Sequence, residues 1–168
     1  MRLLAIDPGN EESALLIYDT DKQEPWSWEK CSNEAALEQV DARASADTMT
    51  IEMVASYGMA VGASVFETCV WAGRFIERWM GSYGMLDASP KEPILAYRRE
   101  VKLHICGSAR AKDANIRQAL IDRYGGKEKA IGKKATPGPL YGMSGDCWSA
   151  LAVAVTVAER VETEVYAA

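Results

Sequence analysis

Three acidic side chains occupy positions where a folded chain would hold a carboxylate rigidly. Asp7 ends a short apolar run and is followed at once by Pro8 and Gly9, while Glu52 interrupts an apolar, β-branched run. Asp146 stands directly before the last apolar stretch. Each acid has an ordinary explanation in isolation, because it can occupy a turn, face outward on a half-exposed strand or cap a helix. Only their combination therefore indicates a function.

Taken together, the three acids indicate one kind of chemistry. If the strands that carry Asp7 and Glu52 are neighbours, their carboxylates meet at one edge of a sheet, and a helix across that edge adds Asp146. Like charges this close need cations, and Mg²⁺ favours a few carboxylates with waters and phosphate oxygens. Two ions about 3.5–4 Å apart align a water for in-line attack and stabilise the leaving oxygen. The pattern predicts phosphodiester hydrolysis with Asp7, Glu52 and Asp146 as catalytic and metal-binding residues.

The N-terminal part of the chain has the pattern of an antiparallel meander. Leu3–Ile6, Ser13–Tyr18 and Trp26–Glu29 are typical of strands joined by tight connections. An N-cap signal at residues 32–34 predicts a helix, and Thr48–Val54 predicts the next strand. These elements are the ones expected to position Asp7 and Glu52.

The remainder of the chain is expected to be mainly helical. Amphipathic spacing predicts three helices, over residues 66–80, 112–124 and 146–161. A last strand is predicted at Ile94–Tyr97, at Val101–Ile105, or at both. Glycine- and proline-rich stretches predict loops at 56–64, 81–93 and 125–142. The third loop carries four lysines and is predicted to be flexible and basic.

Hairpins followed by strand–helix alternation predict the fold class. This order is typical of an α/β protein with a mixed sheet and helices packed on both faces. At 168 residues the chain can bury a core without disulfides or a structural metal. No linker or internal repeat divides it, so we expect a single domain over residues 1–168.

The charge is unevenly distributed along the chain. A net charge of −5 at pH 7, taken alone, argues against a nucleic-acid partner. However, eleven basic residues fall between positions 98 and 134, whereas acids dominate before residue 52 and after residue 158. This distribution is compatible with a one-sided phosphate-binding face, and equally with a solvated surface of mixed charge.

Other catalytic signatures are weak or missing. The cysteines are too far apart in sequence for a zinc or disulfide framework and are expected to be buried free thiols: Cys31, Cys69, Cys106 and Cys147. His104, the only histidine, lies in an apolar strand pattern and is expected to be structural. No nucleotide-binding phosphate loop is present, and the five tryptophans are expected mostly in the core.

Nothing in the sequence indicates a membrane. No apolar run reaches the length of a membrane span, and the first residues lack the pattern of a signal peptide. The expected location is therefore the cytoplasm.

At this point the sequence resembles the RuvC-type Holliday-junction resolvases of the RNase H-like superfamily, most closely the phage-encoded members. Four segments carry the general resemblance, namely Leu4–Gly9 with its Asp-Pro-Gly motif, Ile51-Glu52, Gly107–Ile116 and Asp146–Ala154. Two further segments resemble the phage group, namely Ser56–Met59 and Phe66–Arg74.

The resemblance implies an RNase H-like fold with a mixed five-stranded sheet and a two-metal site. Mg²⁺ is the implied cofactor, Mn²⁺ being able to substitute, and no nucleotide cofactor is implied. The implied partners are a second copy of the chain, in a symmetric homodimer, and branched DNA, cut to a 5′-phosphate and a 3′-hydroxyl. A phage-encoded protein would act in the cytoplasm of the bacterial host.

The sequence departs from the family pattern at Ser149. The family usually places a second acid three residues after the first on the last helix, where this chain has Ser149. Three interpretations are open: Asp146 suffices with Asp7 and Glu52, another acid such as Asp113 substitutes, or the nuclease is weakened or altered. Ser149 and Asp113 are therefore the additional candidate metal ligands, although Asp113 also suits a helix N-terminus.

The resemblance also suggests which side chains meet DNA and the second subunit. The candidate phosphate contacts are the basic residues Arg110, Lys112, Arg117, Lys127, Lys129, Lys133 and Lys134. Phe66, Tyr57 and Tyr141 adjoin glycine-rich loops and are candidate wedges at a junction, with core packing favoured for Phe66. Helix 66–79 has more aromatic residues than one face needs to bury, which makes it the candidate dimer interface.

Three functions follow, of which the first is favoured. The favoured hypothesis is a Mg²⁺-dependent endonuclease that resolves Holliday junctions and other branched DNA. Alternatively, it is an RNase H-like nuclease for another substrate, such as a flap, a fork or an RNA–DNA hybrid. A third hypothesis, from another class, is a junction-binding protein that has lost catalysis.

Overall fold

One five-stranded sheet forms the centre of the protein. The structure, a computed structural model, describes residues 1–42, 46–55, 58, 60–84 and 92–167. The strands are β1 (Arg2–Asp7), β2 (Glu12–Asp19), β3 (Glu24–Ser32), β4 (Thr48–Met53) and β5 (Ile94–Tyr97), in the order β3-β2-β1-β4-β5. The β1–β2 and β2–β3 pairs are antiparallel, whereas β4 runs parallel to β1 and to β5. The predicted mixed sheet is confirmed.

Helices cover both faces of this sheet. They are α1 (Asn33–Ala42), α2 (Ala63–Gly84), α3 (Arg98–Cys106), α4 (Asp113–Arg123), α5 (Lys127–Ala130) and α6 (Cys147–Ala167). Side chains alternate between the faces, so that Leu4 and Ile6 of β1 pack towards α1 and α2, and Leu3 and Ala5 towards α3, α4 and α6. The prediction of helices on both faces is confirmed.

The first half of helix α6 is deeply buried. Residues 150–158 are each exposed by 4% or less, and most of them are alanine or valine. A helix that is apolar on all sides belongs in a core, and its small side chains allow close packing against β1 and β2. The first turn of α6 is thereby held rigidly against the sheet.

Some predicted elements differ in the structure. Val101–Ile105 is part of α3 and not a strand, because Val101 and Ile105 are the buried pair at helical i, i+4 spacing. The segment 125–142, predicted as a flexible loop, contains α5 and a short hairpin of β6 (Gly132–Lys133) and β7 (Thr136–Pro137). Residues 63–64 and 81–84, predicted as loops, belong to α2, and residues 85–91 lie outside the described ranges.

The prediction that Phe66 packs in the core is wrong. Phe66 and Val70, one turn further along the helix, are 62% and 63% exposed, because α2 buries Ala72, Phe75 and Trp79. Phe66 precedes Phe75 by nine residues, which places the two on opposite sides of an α-helix. Helix α2 therefore has one face in the core and one apolar face towards solvent.

Three other side-chain predictions need correction. Trp26 is 65% exposed and stacks with Arg2, whose guanidinium carbon lies 4.5 Å from the ring centroid. Cys69 is exposed, although Cys147 is a buried free thiol as expected. His104 lies on α3, where its Nε2 is 2.6 Å from a carboxylate oxygen of Glu159. Among the helices in the described ranges, none combines the length and apolar character needed to cross a membrane.

Candidate active site

Asp7 and Glu52 lie side by side at one edge of the sheet. The parallel β1–β4 register pairs Ile6 with Ile51, so the next residues along the two strands are Asp7 and Glu52. Asp7 points to the same face of β1 as Leu3 and Ala5, because side chains alternate along a strand. Glu52 is paired with Ala96 of β5, which packs on that face. Both carboxylates therefore belong to the α6 side of the sheet. Two acids from different strands are therefore neighbours next to a buried helix.

A cavity of about 250 Å³ at this edge collects most of the predicted acids. Asp7 lines it from β1, Asp146 and Ser149 from the start of α6, and Asp113 from the first residue of α4. Glu52 is only 7% exposed and lies behind the guanidinium of Arg98, which itself lines the cavity. The structure thus brings together residues that are up to 142 positions apart, from Asp7 to Ser149.

The turn after Asp7 is braced by a buried polar network that the sequence did not indicate. The Gly9 N–H donates to the Ser13 hydroxyl at 3.2 Å, and that hydroxyl donates to the Asn33 side-chain oxygen at 2.6 Å. The Asn33 amide nitrogen donates back to the Gly9 carbonyl at 3.0 Å. Ser13 and Asn33 are 1% and 0% exposed. Buried polar groups that are fully paired rigidify their surroundings, so this network positions the Asp7 loop.

Glycine is required at position 9. A Cβ atom added there would lie 2.2 Å from the carbonyl oxygen of Glu12. Gly9 thus allows the tight β1–β2 connection that keeps Asp7 at the cavity.

The surroundings of Asp7 disfavour the charged form of its carboxyl group. Burial raises the pKa of Asp7 to about 8, and the charge of Glu52 adds to the increase. Arg98 and a hydrogen bond from Ser149 oppose it. Burial also raises the pKa of Glu52, and Arg98 again counteracts the rise. A carboxylate that is desolvated beside a second carboxylate is stabilised by a cation.

Two basic side chains supply positive charge inside this cluster, and neither belongs to the predicted site. One guanidinium nitrogen of Arg98 lies 2.8 Å from Glu52 Oε1, and the other lies 2.6 Å from Asp113 Oδ1. The Lys30 ammonium lies 3.0 Å from Asp146 Oδ2 and 3.1 Å from a carboxylate oxygen of Glu12. Arg98 directly follows β5, the parallel neighbour of the Glu52 strand, and only the strand order reveals this proximity.

The donor set suits a divalent cation that retains waters. Mg²⁺ is usually held by one or two protein carboxylates together with waters and substrate phosphates. Across the described residues, no group of three acidic, histidine or cysteine side chains is close enough to ligate an ion together. Asp7 and Asp146, which share the cavity, supply the one or two carboxylates that Mg²⁺ requires.

A groove of about 630 Å³ continues from the acids along α4 and α6. Asp113, Asp146 and Ser149 line it, and so do the basic residues Arg117 and Lys127. Arg117 is exposed and stacks on the ring of the buried Trp148, with 5.1 Å from its guanidinium carbon to the ring centroid. The lining of the groove therefore includes both acidic and basic side chains.

The other predicted phosphate contacts lie on the surface outside the lining of this groove. They are Arg110, Lys112, Lys129, Lys133 and Lys134, all of them exposed. Of the candidate wedge residues, Tyr141 is 40% exposed and Phe66 is on the outer face of α2. Tyr57 lies outside the described residues, as do Ser56 and Met59 of the phage-like segment.

Comparison with solved structures defines the class of fold. The chain superimposes on RuvC of Thermus thermophilus with a TM-score of 0.67 and 15% identity, covering 98% of this chain and 97% of that one. RuvC of T. thermophilus in complex with a Holliday junction substrate gives a TM-score of 0.64 and 15% identity, with 98% and 96% of the two chains covered. The protein therefore has the RNase H-like fold of RuvC over nearly its whole length.

Comparisons of sequence find no relative. No protein-family model matches the chain, and no curated protein matches it. The likeness to RuvC is accordingly one of fold.

Proposed function

We propose that this protein is a divalent-metal-dependent endonuclease that resolves Holliday junctions and related branched DNA. The observation that carries the proposal is the cavity at the sheet edge, where Asp7, Asp146, Asp113 and Ser149 converge beside Glu52. Burial makes the charge of Asp7 unfavourable, so the convergence of carboxylates on this small cavity does not serve the stability of the fold. It is better explained by metal-assisted phosphoryl chemistry. The full-length fold likeness to RuvC supports the same reaction class.

Mg²⁺ is the proposed cofactor, with Mn²⁺ as a substitute. When bound, a divalent cation would polarise a water and neutralise charge on the phosphate. Asp7 and Asp146 would hold it from β1 and from the start of α6, with Glu52 as the neighbouring carboxylate. The Ser149 hydroxyl lines the same cavity and lowers the pKa of the Asp7 carboxyl, and it would act as a positioning residue for Asp7 in this proposal.

DNA would approach along the groove between α4 and α6. Arg117 is held over Trp148 and Lys127 lies on the same groove, so both can contact phosphates on either side of the cut. Localised contacts of this kind reconcile DNA binding with a net charge of −5. The resolvase complexed with a Holliday junction is the Thermus protein, and we extend its substrate class to this chain by fold likeness.

A homodimer is part of the proposal. Phe66 and Val70 are spaced i, i+4 on the exposed face of α2, and both are more than three-fifths exposed. Such a pair suits burial against the same face of a second copy. Two sites related by a twofold axis would match the pseudo-twofold symmetry of a four-way junction. The phage-like segment Phe66–Arg74 lies on this helix, and with it we propose a phage origin and the host cytoplasm as location.

The experiment compares substrates and metals side by side. Synthetic four-way junctions, forks, flaps and RNA–DNA hybrids of equal length are incubated with the protein in Mg²⁺, Mn²⁺ or Ca²⁺. We expect Mg²⁺-dependent cleavage of the junction to 5′-phosphate and 3′-hydroxyl ends, lost in Asp7→Asn. Cleavage that is unchanged in Asp7→Asn would show that the site is elsewhere.

The same experiment separates the alternatives. Preferred cutting of a fork, flap or hybrid would indicate the second hypothesis, a nuclease with another substrate. Tight junction binding in Ca²⁺ with no cutting in Mg²⁺ or Mn²⁺ would indicate a binding protein that has lost catalysis. In that case Ser149→Asp, which adds an acid beside Asp7, tests whether the missing carboxylate is the cause.

A further inference from the structure

We propose that Arg98 permanently supplies one of the positive charges of the active site, so that each chain binds a single divalent cation. This inference rests on the proposed function and departs from a two-ion site. Its basis is the position of Arg98 between Glu52 and Asp113 inside the acidic cluster.

The contacts of Arg98 already neutralise two carboxylates. Its two terminal nitrogens lie 2.8 Å from Glu52 and 2.6 Å from Asp113, so one guanidinium joins a strand acid to the first residue of α4. Hydrogen bonds between charged groups are about twice as strong as neutral ones. A cation bound by Glu52 and Asp113 together would have to displace this guanidinium and leave it unpaired.

The position of Arg98 is set by the fold. It is the first residue of α3 and directly follows β5, whose register pairs Ala96 with Glu52 and Tyr97 with Met53. A guanidinium stays protonated in proteins, and its neighbours Glu52 and Asp113 raise the pKa of Arg98 further. Arg98 is therefore a fixed charge, anchored at both its backbone and its head group.

The remaining carboxylates suit one ion. Within the described part of the chain, no ion pair includes Asp7, and Asp146 pairs only with the partly exposed ammonium group of Lys30. Asp146 directly precedes α6, and the first turn of the helix itself adds no second acid, with serine at position 149. One or two carboxylates are what Mg²⁺ usually takes from a protein. Asp7 and Asp146 meet that number, and Glu52 and Asp113 are occupied by Arg98.

Arg98 is also placed to meet the substrate. It lines the same cavity as Asp7 and Asp146. A guanidinium has five N–H donors, and the two carboxylate contacts leave some of them for a phosphate oxygen. Arg98 would then balance charge on a phosphate bound in the cavity.

The test counts bound ions and does not require turnover. Mn²⁺ is titrated into the full-length protein without DNA, and bound ions per chain are obtained from the loss of the free-Mn²⁺ signal in electron paramagnetic resonance and from calorimetry. We expect one ion per wild-type chain, one for Arg98→Lys, and two for Arg98→Gln, because glutamine frees Glu52 and Asp113. Arg99→Gln is the matched control on the next, exposed residue and should bind one ion.

The outcomes separate this inference from the proposed function. Two ions per wild-type chain, or one ion in a folded Arg98→Gln, would overturn the inference. If two ions bind while Asp7 remains essential for junction cleavage, the proposed function stands and only the role of Arg98 falls. If wild-type protein binds no Mn²⁺ and Asp7→Asn cuts normally, both fall. The wild-type count needs no variant, so a misfolded Arg98→Gln does not remove the test.

Discussion

Replacing Asp7 by asparagine should make the metal-free protein more stable at neutral pH. Burial and the charge of Glu52 raise the pKa of Asp7 from 3.8 to about 8 in the folded state. The folded chain therefore holds a proton on Asp7 that the unfolded chain releases above pH 4, so stability falls as the pH rises towards the folded pKa. Asparagine carries no charge and removes this dependence.

The size of the effect follows from the shift. Each pH unit between the unfolded and folded pKa values is worth about 1.4 kcal/mol, so the change between pH 5 and pH 8 is on the order of a few kcal/mol. The free energy of unfolding of Asp7→Asn minus that of wild type should therefore increase with pH by about this amount. Removing the Asp7 charge also relieves Glu52, which acts in the same direction.

The assay is urea unfolding in EDTA at several pH values from 5 to 8. Glu38→Gln, which removes one exposed acid from α1, controls for the change in net charge. Adding Mg²⁺ should stabilise wild type by about 2.7 kcal/mol at a hundred times its dissociation constant, and should leave Asp7→Asn almost unchanged. A stability difference that is flat with pH, or a variant that is less stable than wild type at pH 8, would refute the reasoning.

Three further predictions concern the turn, the groove and the outer face of α2. Gly9→Ala should destabilise the protein by several kcal/mol in urea unfolding, because its Cβ would meet a backbone oxygen at 2.2 Å. Gly81→Ala, with nothing within 4 Å in α2, should be neutral or stabilising by up to about 1 kcal/mol. Arg117→Gln should weaken junction binding in Ca²⁺ and reduce the slope of log affinity against log salt by about 1, and an unchanged slope would remove Arg117 from the phosphate contacts. Phe66→Glu should shift light-scattering mass from dimer to monomer, whereas Leu103→Glu on α3, also exposed, should not; a wild-type monomer would contradict the proposed interface.

The sequence predicts local structure well where its pattern allows only one interpretation. The strands around Asp7 and Glu52 are apolar, and the second is also rich in β-branched residues. Alternation places both acids on one side once the strands are paired. The segment Val101–Ile105 was predicted wrongly because its two buried residues are four apart, and short apolar runs are ambiguous between helix and strand. Phe66 was misassigned because amphipathic spacing shows that a helix has an apolar side but not which side the core takes.

Taken alone, the chain determined the candidate acids and the class of fold, since a carboxylate in an apolar strand and the order of hairpins and helices are local properties. The tertiary structure decided which basic side chains neutralise the charge of those acids. Arg98 is 46 residues from Glu52 and Lys30 is 116 residues from Asp146, so no local pattern links them. They meet because β5 lies beside β4 and because α6 begins at the same sheet edge. Charge pairing depends on distances of a few ångströms, and only the packed sheet and helices set those distances.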